Sequence, residues 1–252
     1  MKITFLGTGT SMGVPVAGGF RREKTAHDPR NERTRCSVWI QSKGESILID
    51  AGPEFRLQSI QAKLQHLDHL LITHEHMDHV AGLDDLRVFS YINKAPIPVY
   101  TYGRCIESIK RRFDYMFGDD KYPGSTSLDL IEVDSPFTLG EIPVTPLPVE
   151  HGNLEILGFR VGDFSYLTDV KTIPKKTKEL IKGSKVVAMG ALRWEPEHPT
   201  HQTIPEAVEL INELEVPKAY LIHMNGFVDH GPSNRKLPNH IKLAYDQMVI
   251  HI

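Results

Sequence analysis

Thr73-His74-Glu75-His76-Met77-Asp78-His79 sets three imidazoles and two carboxylates within the six residues that follow Thr73. Just ahead of it, His69–Ile72 is an apolar, strand-like run. In extended chain, side chains two residues apart point the same way, so His74 and His76 can turn to one side. Asp78 and His79 follow at once as a second pair of donors. Neutral imidazole with carboxylate suits Zn, Mn or Fe near neutral pH. A solvated polar loop has no need of such a density of ligands at a strand end. The stretch therefore reads as the centre of a metal site.

The same pattern, a short apolar run that stops at a polar or glycine-rich turn, recurs on both sides. Ile3–Leu6 leads into Gly7-Thr-Gly-Thr-Ser-Met-Gly13, and Ser46–Ile49 into Asp50-Ala-Gly52. Pro98–Tyr100 is a further short strand; Tyr166–Thr168 stops at Asp169, Lys185–Met189 at Gly190, and Ala219–Ile222 at His223. Helical stretches alternate with these runs: Pro53–Gln65 carrying Phe55, Leu57, Ile60 and Leu64, then Leu83–Ile92, Arg104–Phe117 and a helix between Thr172 and Gly183. Thr203 and Glu206 form a capping-box pattern before Ala207–Leu214. Residues 122–148 hold five prolines and mix short strands with loops. This is a mixed α/β chain. In such sheets binding sites gather at strand ends. His151, Asp169 and His223 can thus join the cluster: His74, His76 and His151 on one ion, Asp78, His79 and His223 on the other, with Asp169 between them.

Composition removes several classes of function. The chain has 252 residues with 29 Lys+Arg against 32 Asp+Glu, so its net charge of −3 gives no general attraction to nucleic acid. Only Cys36 and Cys105 are present, which excludes a disulfide framework and a four-cysteine zinc site. No apolar run reaches the roughly 18 residues of a membrane span, and Met1-Lys-Ile-Thr-Phe-Leu lacks the pattern of a secretory leader. A cytoplasmic protein of one domain, residues 1–252, is expected. The glycine-rich opening has neither the Gly-Lys-Ser/Thr of a P-loop nor GxGxxG, and no Gly-x-Ser-x-Gly elbow occurs.

His74-x-His76-x-Asp78-His79, with spaced His151, Asp169 and His223 and with Asp50 after Ser46–Ile49, resembles the metallo-β-lactamase superfamily over nearly the whole chain. The resemblance implies an αβ/βα four-layer sandwich: two facing β-sheets, helices outside, and two divalent ions, Zn or Mn or else Fe, at one edge. Within it, Phe5–Pro15, Asp28–Asn31, Arg33–Cys36, His198-Pro-Thr-His201 and Leu243-Ala-Tyr-Asp246 resemble the cyclic phosphodiesterase of phosphonate degradation and its relatives. That implies a catalytic role for His201 outside the metal set, and for Asp169 as the bridging ligand. Relatives often carry a Cys-x-Cys-x-x-Cys zinc cluster where this chain has Gly19, Arg21 and Lys24. The loop 17–35 is instead rich in arginine, a solvated basic loop or a phosphate-attracting rim. After His223 the chain also departs, reading Met224-Asn-Gly-Phe-Val-Asp-His230.

The expected activity is dinuclear metal-dependent hydrolysis of a small or cyclic phosphodiester, with a hydroxide as nucleophile. The expected partners are that substrate and a second copy of the chain, with neither membrane nor nucleic acid. tRNA 3′-end processing is the first alternative, but its usual His-Glu-Ala motif and exosite arm are not seen; Ala188-Met-Gly-Ala-Leu-Arg193 follows Asp169 instead. Thioester or lactam hydrolysis is another use of the same frame. A non-catalytic metal-binding accessory protein is the alternative outside enzymes, and the complete set of seven ligands argues against it. His27, His66, His69, His198, His230, His240 and His251 read as surface or supporting groups, and Lys110-Arg-Arg112 as a solvated helix face.

Overall fold

The computed structural model describes residues 1–20, 27–118, 121–122 and 124–252. Two seven-stranded sheets carry the fold. The first contains β1 (Lys2–Gly7), β2 (Ser37–Ser42), β3 (Glu45–Ile49), β4 (His69–Leu71), β5 (Ile97–Thr101), β6 (Leu128–Glu132) and β14 (Met248–His251), in the order β14-β1-β2-β3-β4-β5-β6. The second holds β7 (Phe137–Leu139), β8 (Ile142–His151), β9 (Leu154–Val161), β10 (Phe164–Leu167), β11 (Val186–Gly190), β12 (Lys218–Ile222) and β13 (Ile241–Leu243), in the order β13-β12-β11-β10-β9-β8-β7.

Alternation along the strands makes the layers. Ile47 and Ile49 of β3 point to the core between the sheets, where they meet Phe159, Phe164 and Ala188 of the second sheet. Leu48, between them, points outward to a core with Phe55, Leu83 and Phe89. On the other side Val187 and Met189 of β11 face out towards Ile204, Ala207 and Ile211. The helices α1 (Phe55–Ala62), α2 (Met77–Val80), α3 (Arg87–Asn93) and α4 (Gly103–Arg112) belong with the first sheet; α5 (Lys175–Ile181), α6 (Ile204–Glu213) and α7 (His230–Lys236) follow in the second half. The arrangement is the expected αβ/βα sandwich.

Strands β3 to β6 run parallel, as do β10 to β13. Their carboxyl ends therefore open together, and the residues after them collect along one edge. The α6 start is as read: the Thr203 hydroxyl accepts from the Glu206 N–H, and the Glu206 carboxylate accepts from the Thr203 N–H. Among the described residues no helix is long and apolar enough to cross a membrane.

The basic loop turns out differently from a solvated face. Arg33 is buried, and its guanidinium donates to Asn31 Oδ1 and to the carbonyls of Val228 and Asn225. Arg30 forks onto Asp28, and Arg35 pairs with Glu54. Arg33 and Arg35 thus hold this part of the loop to the body, while the exposed Arg30–Asp28 pair stays within the loop. Arg21, Arg22 and Lys24 lie outside the described residues.

Candidate metal centre

Strand ends deliver five residues of the cluster. His74 and His76 follow β4, His151 ends β8, Asp169 follows β10, and His223 follows β12. Asp78 and His79 sit in the single turn of α2. Gly52 makes room for that turn, because a Cβ there would collide with the Asp78 carbonyl. Asp50, Asp169 and His223 adopt left-handed backbone with φ of 62°, 55° and 60°. Such φ is uncommon for non-glycine residues and gathers at functional sites.

Three sets of donor atoms form, each within 4.8 Å: His74, His76 and His151; Asp78, His79, Asp169 and His223; and His151, Asp169 and His201. Asp169 thus stands between the two sets that the sequence proposes. Its Oδ1 lies 3.0 Å from His223 Nε2 and its Oδ2 lies 3.2 Å from His79 Nε2. His201 Nδ1 is 3.7 Å from Asp169 Oδ1, with its ring 4.7 Å from that of His151 and 4.8 Å from that of His223. His201 therefore meets the geometric requirement for a ligand as well as that for a free imidazole beside the centre.

A supporting layer fixes these rings. The buried Asp50 carboxylate accepts from the Thr73 N–H and hydroxyl and stands 2.7 Å from His79 Nδ1. A proton on Nδ1 leaves the His79 Nε2 lone pair for the centre. The Thr200 carbonyl, 2.8 Å from His151 Nδ1, orients that ring in the same way. Thr73 and Thr200 give no signal in the sequence, since their role depends on where the strands end. Glu75 points away from the centre, to the Tyr102 hydroxyl and the Arg104 guanidinium.

Burial pushes the His74 pKa well below the ordinary imidazole value. Burial also opposes charge on His79, but Asp78, Asp50 and Asp169 outweigh it and carry its pKa well up. Burial would raise the Asp169 pKa, and His223 with His79 hold it well below the usual carboxylate range instead. Burial, then His223, lowers the His201 pKa to about 3. His79 Nε2, both ring nitrogens of His223 and His201 Nδ1 are buried without a hydrogen-bond partner. Buried polar atoms left without partners are costly. Converging on the carboxylates of Asp78 and Asp169 and on further imidazoles, they fit divalent cations of the N/O-binding kind.

The cysteines take no part. Both are buried, and burial raises both thiol pKa values, that of Cys105 to about 12. The His198 ring lies 4.9 Å from His201, beside the site. His230 is buried against Asn31, Asn234 and Tyr245, a structural group and not a surface one.

Residues 45–224 match the Beta-lactamase superfamily domain, and the chain belongs to that superfamily, with the fold of its metal-dependent hydrolases. Within it the chain is similar to a crystal structure described as a new diphosphatase from the PhnP family. That match has 34% identity, covers 100% of this chain and 97% of the other, and has a TM-score of 0.92. An octanoyltransferase of Porphyromonas gingivalis is 40% identical over 253 residues, which is 98% of this chain and 50% of that protein. A ribonuclease Z of Archaeoglobus fulgidus is 30% identical over 122 residues, 48% of this chain and 34% of that protein. The chain thus spans half or less of the length of these curated relatives.

Proposed function

We propose that the protein is a dinuclear metal-dependent phosphodiesterase acting on a small or cyclic phosphodiester. The observation that carries the reading is the shared position of Asp169, which groups with Asp78, His79 and His223 and also with His151, with the His201 imidazole beside it. His74, His76 and His151 would hold one cation and Asp78, His79 and His223 the other, with Asp169 common to both. Zn and Mn both suit this donor set. When bound, such cations supply Lewis acidity and lower the pKa of a water.

The chain's own residues do the rest. Asp50 and the Thr200 carbonyl hold the imidazole tautomers, and His201 offers a neutral ring nitrogen beside the place where phosphate charge collects. A phosphate anion there would favour the His201 imidazolium and let it hand a proton to the leaving oxygen. The similarity to a diphosphatase supports chemistry at phosphorus. The octanoyltransferase relative is twice as long as this chain, so its activity does not transfer with the matched half. The buried thiols, raised in pKa, offer no acyl-accepting nucleophile. A cytoplasmic setting is part of the proposal.

The test is turnover of bis(p-nitrophenyl) phosphate by protein stripped of metal and reconstituted with Mn or Zn. Metal-dependent release of p-nitrophenol is expected, and Asp169→Ala should lose it together with much of the metal. Full turnover in that variant overturns the bridging role. No turnover with two metals bound overturns the phosphodiesterase reading.

A further inference from the structure

We propose that Arg112, anchored on the residues that flank His76, forms a subsite for a second phosphate group on the substrate. Arg112 closes α4, whose last turn also carries Lys110 and Arg111. Its side chain crosses to the metal loop and donates to the Glu75 carbonyl, and the same nitrogen lies 3.8 Å from Met77 Sδ. Glu75 and Met77 are the neighbours of His76 in the chain, so the guanidinium is anchored on the two residues that flank this candidate ligand. Both contacts are to uncharged atoms. Among the described residues Arg112 has no ion-pair partner, so its positive charge is intact and its other guanidinium nitrogens are available.

Its neighbour Arg104 is a useful contrast. Arg104 Nε is 3.0 Å from the Glu75 carboxylate, and the same guanidinium donates to the Tyr102 hydroxyl and the Glu155 carbonyl. Arg104 neutralises Glu75 and ties α4 to the loop. With that carboxylate occupied, Arg112 is left to act outward. An uncompensated guanidinium presents paired donors that match a phosphate dianion. The ligand class is a small phosphodiester bearing a second phosphate some bonds from the scissile one. This subsite rests on the phosphodiesterase reading for its biological use, but its binding test does not require turnover.

The experiment titrates the metal-loaded protein with thymidine 5′-monophosphate and thymidine 3′,5′-bisphosphate by calorimetry. The bisphosphate should bind about tenfold more tightly to the wild type, the size of one charge-assisted contact. Arg112→Ala should abolish that preference, and Arg112→Lys should restore part of it. Equal affinities in the wild type, or a preference that survives Arg112→Ala, overturn the subsite. Loss of bound metal in both Arg112 variants shows a loop-holding role and overturns it too. If the preference depends on Arg112 while no diester is turned over, the subsite stands and the phosphodiesterase reading falls alone.

A separate observation concerns the far side of α1 and α3, which exposes apolar side chains. In α1, Gln58 and Ser59 are buried while Leu57 and Ile60 are exposed; in α3, Ser90 is buried while Val88, Tyr91 and Ile92 are exposed. Between the helices lies a groove of about 530 Å³ whose walls include Arg56, Ile60, Asp85, Val88 and Ile92. We infer that this face is where a second copy of the chain docks by a two-fold axis. In such a contact the same patch meets itself, and the groove carries both signs of charge, so Arg56 of one copy can meet Asp85 of the other. The five apolar side chains expose on the order of 500 Å², most of the roughly 800 Å² per partner of a standard interface. Sedimentation equilibrium at tens of micromolar should give a dimer, and Leu57→Glu and Tyr91→Glu should each give a folded monomer by circular dichroism. A monomeric wild type, or dimers that persist in both variants, overturns this inference.

Discussion

His201 and Asp50 divide the work of the centre between them, and each can be separated from the metal set. His201 meets both requirements, for a ligand and for a free imidazole, so metal content decides its role. His201→Ala is expected to keep both metals and to lose roughly 10²–10⁴-fold in kcat, the usual value of a positioned acid or base. Loss of one metal from that variant would assign His201 to the ligand set. Asp50 touches no ion in this scheme; it sets the His79 tautomer and holds the Thr73 N–H. Asp50→Asn keeps the shape but can turn a donor towards Nδ1, so metal affinity should fall about 10–100-fold. Competition with a chelating dye would measure it, and an unchanged affinity would release Asp50 from this role.

At the scale of elements, Asp246, just ahead of the last strand, joins the end of β1 to the approach to β2 through one side chain. Asp246 Oδ1 accepts from the Thr8 N–H and hydroxyl, and Oδ2 from the Thr34 N–H and hydroxyl. These four donors flank the end of β1 and the approach to β2. Asp246→Ala would leave them without acceptors and should cost about 3 kcal/mol or more in urea unfolding. A loss within 0.5 kcal/mol would show that water replaces the carboxylate.

Strand ends that carry a chemical signal are legible in the sequence. Runs before Asp50, Asp169 and His223 lie within one or two residues of β3, β10 and β12, because period-two burial and polar stops coincide there. The helices of the first half were harder. Leu57 and Ile60 read as a core face of α1, yet the buried positions are Phe55, Gln58 and Ser59. Gln58 is drawn inward because its amide donates to the Thr34 hydroxyl and the Arg35 carbonyl, a tertiary need that periodicity cannot show. Leu83–Ile92 divides into a 3-10 turn at Leu83–Leu86 and α3. Nothing chemical marks the ends of strand β2, and Arg33 reads as part of a solvated basic loop because its partners lie 192 and 195 residues further on.

For the whole molecule, the ligands divide between the sheets, and metal binding is therefore also sheet-to-sheet attachment. His74, His76, Asp78 and His79 come from loops of the first sheet, and His151, Asp169 and His223 from the second. An ion that binds only the folded chain adds about 4 kcal/mol when its free concentration is a thousand times its dissociation constant. Chelation should accordingly lower the melting temperature by several degrees, and Asp169→Ala should show a much smaller difference between loaded and stripped forms. Proton linkage sharpens the test. In the metal-free protein the surrounding carboxylates carry the His79 pKa well above the ordinary imidazole value, so His79 is protonated at neutral pH. Metal must displace that proton, and affinity should rise with pH through the neutral range, by up to about tenfold per unit for one proton. Calorimetry in buffers of different ionisation enthalpy would count the released protons directly. Uptake of metal at pH 7 with no proton released, or affinity flat from pH 6 to 8, would mean that His79 is already neutral and that the carboxylates around it are arranged for something other than holding a cation.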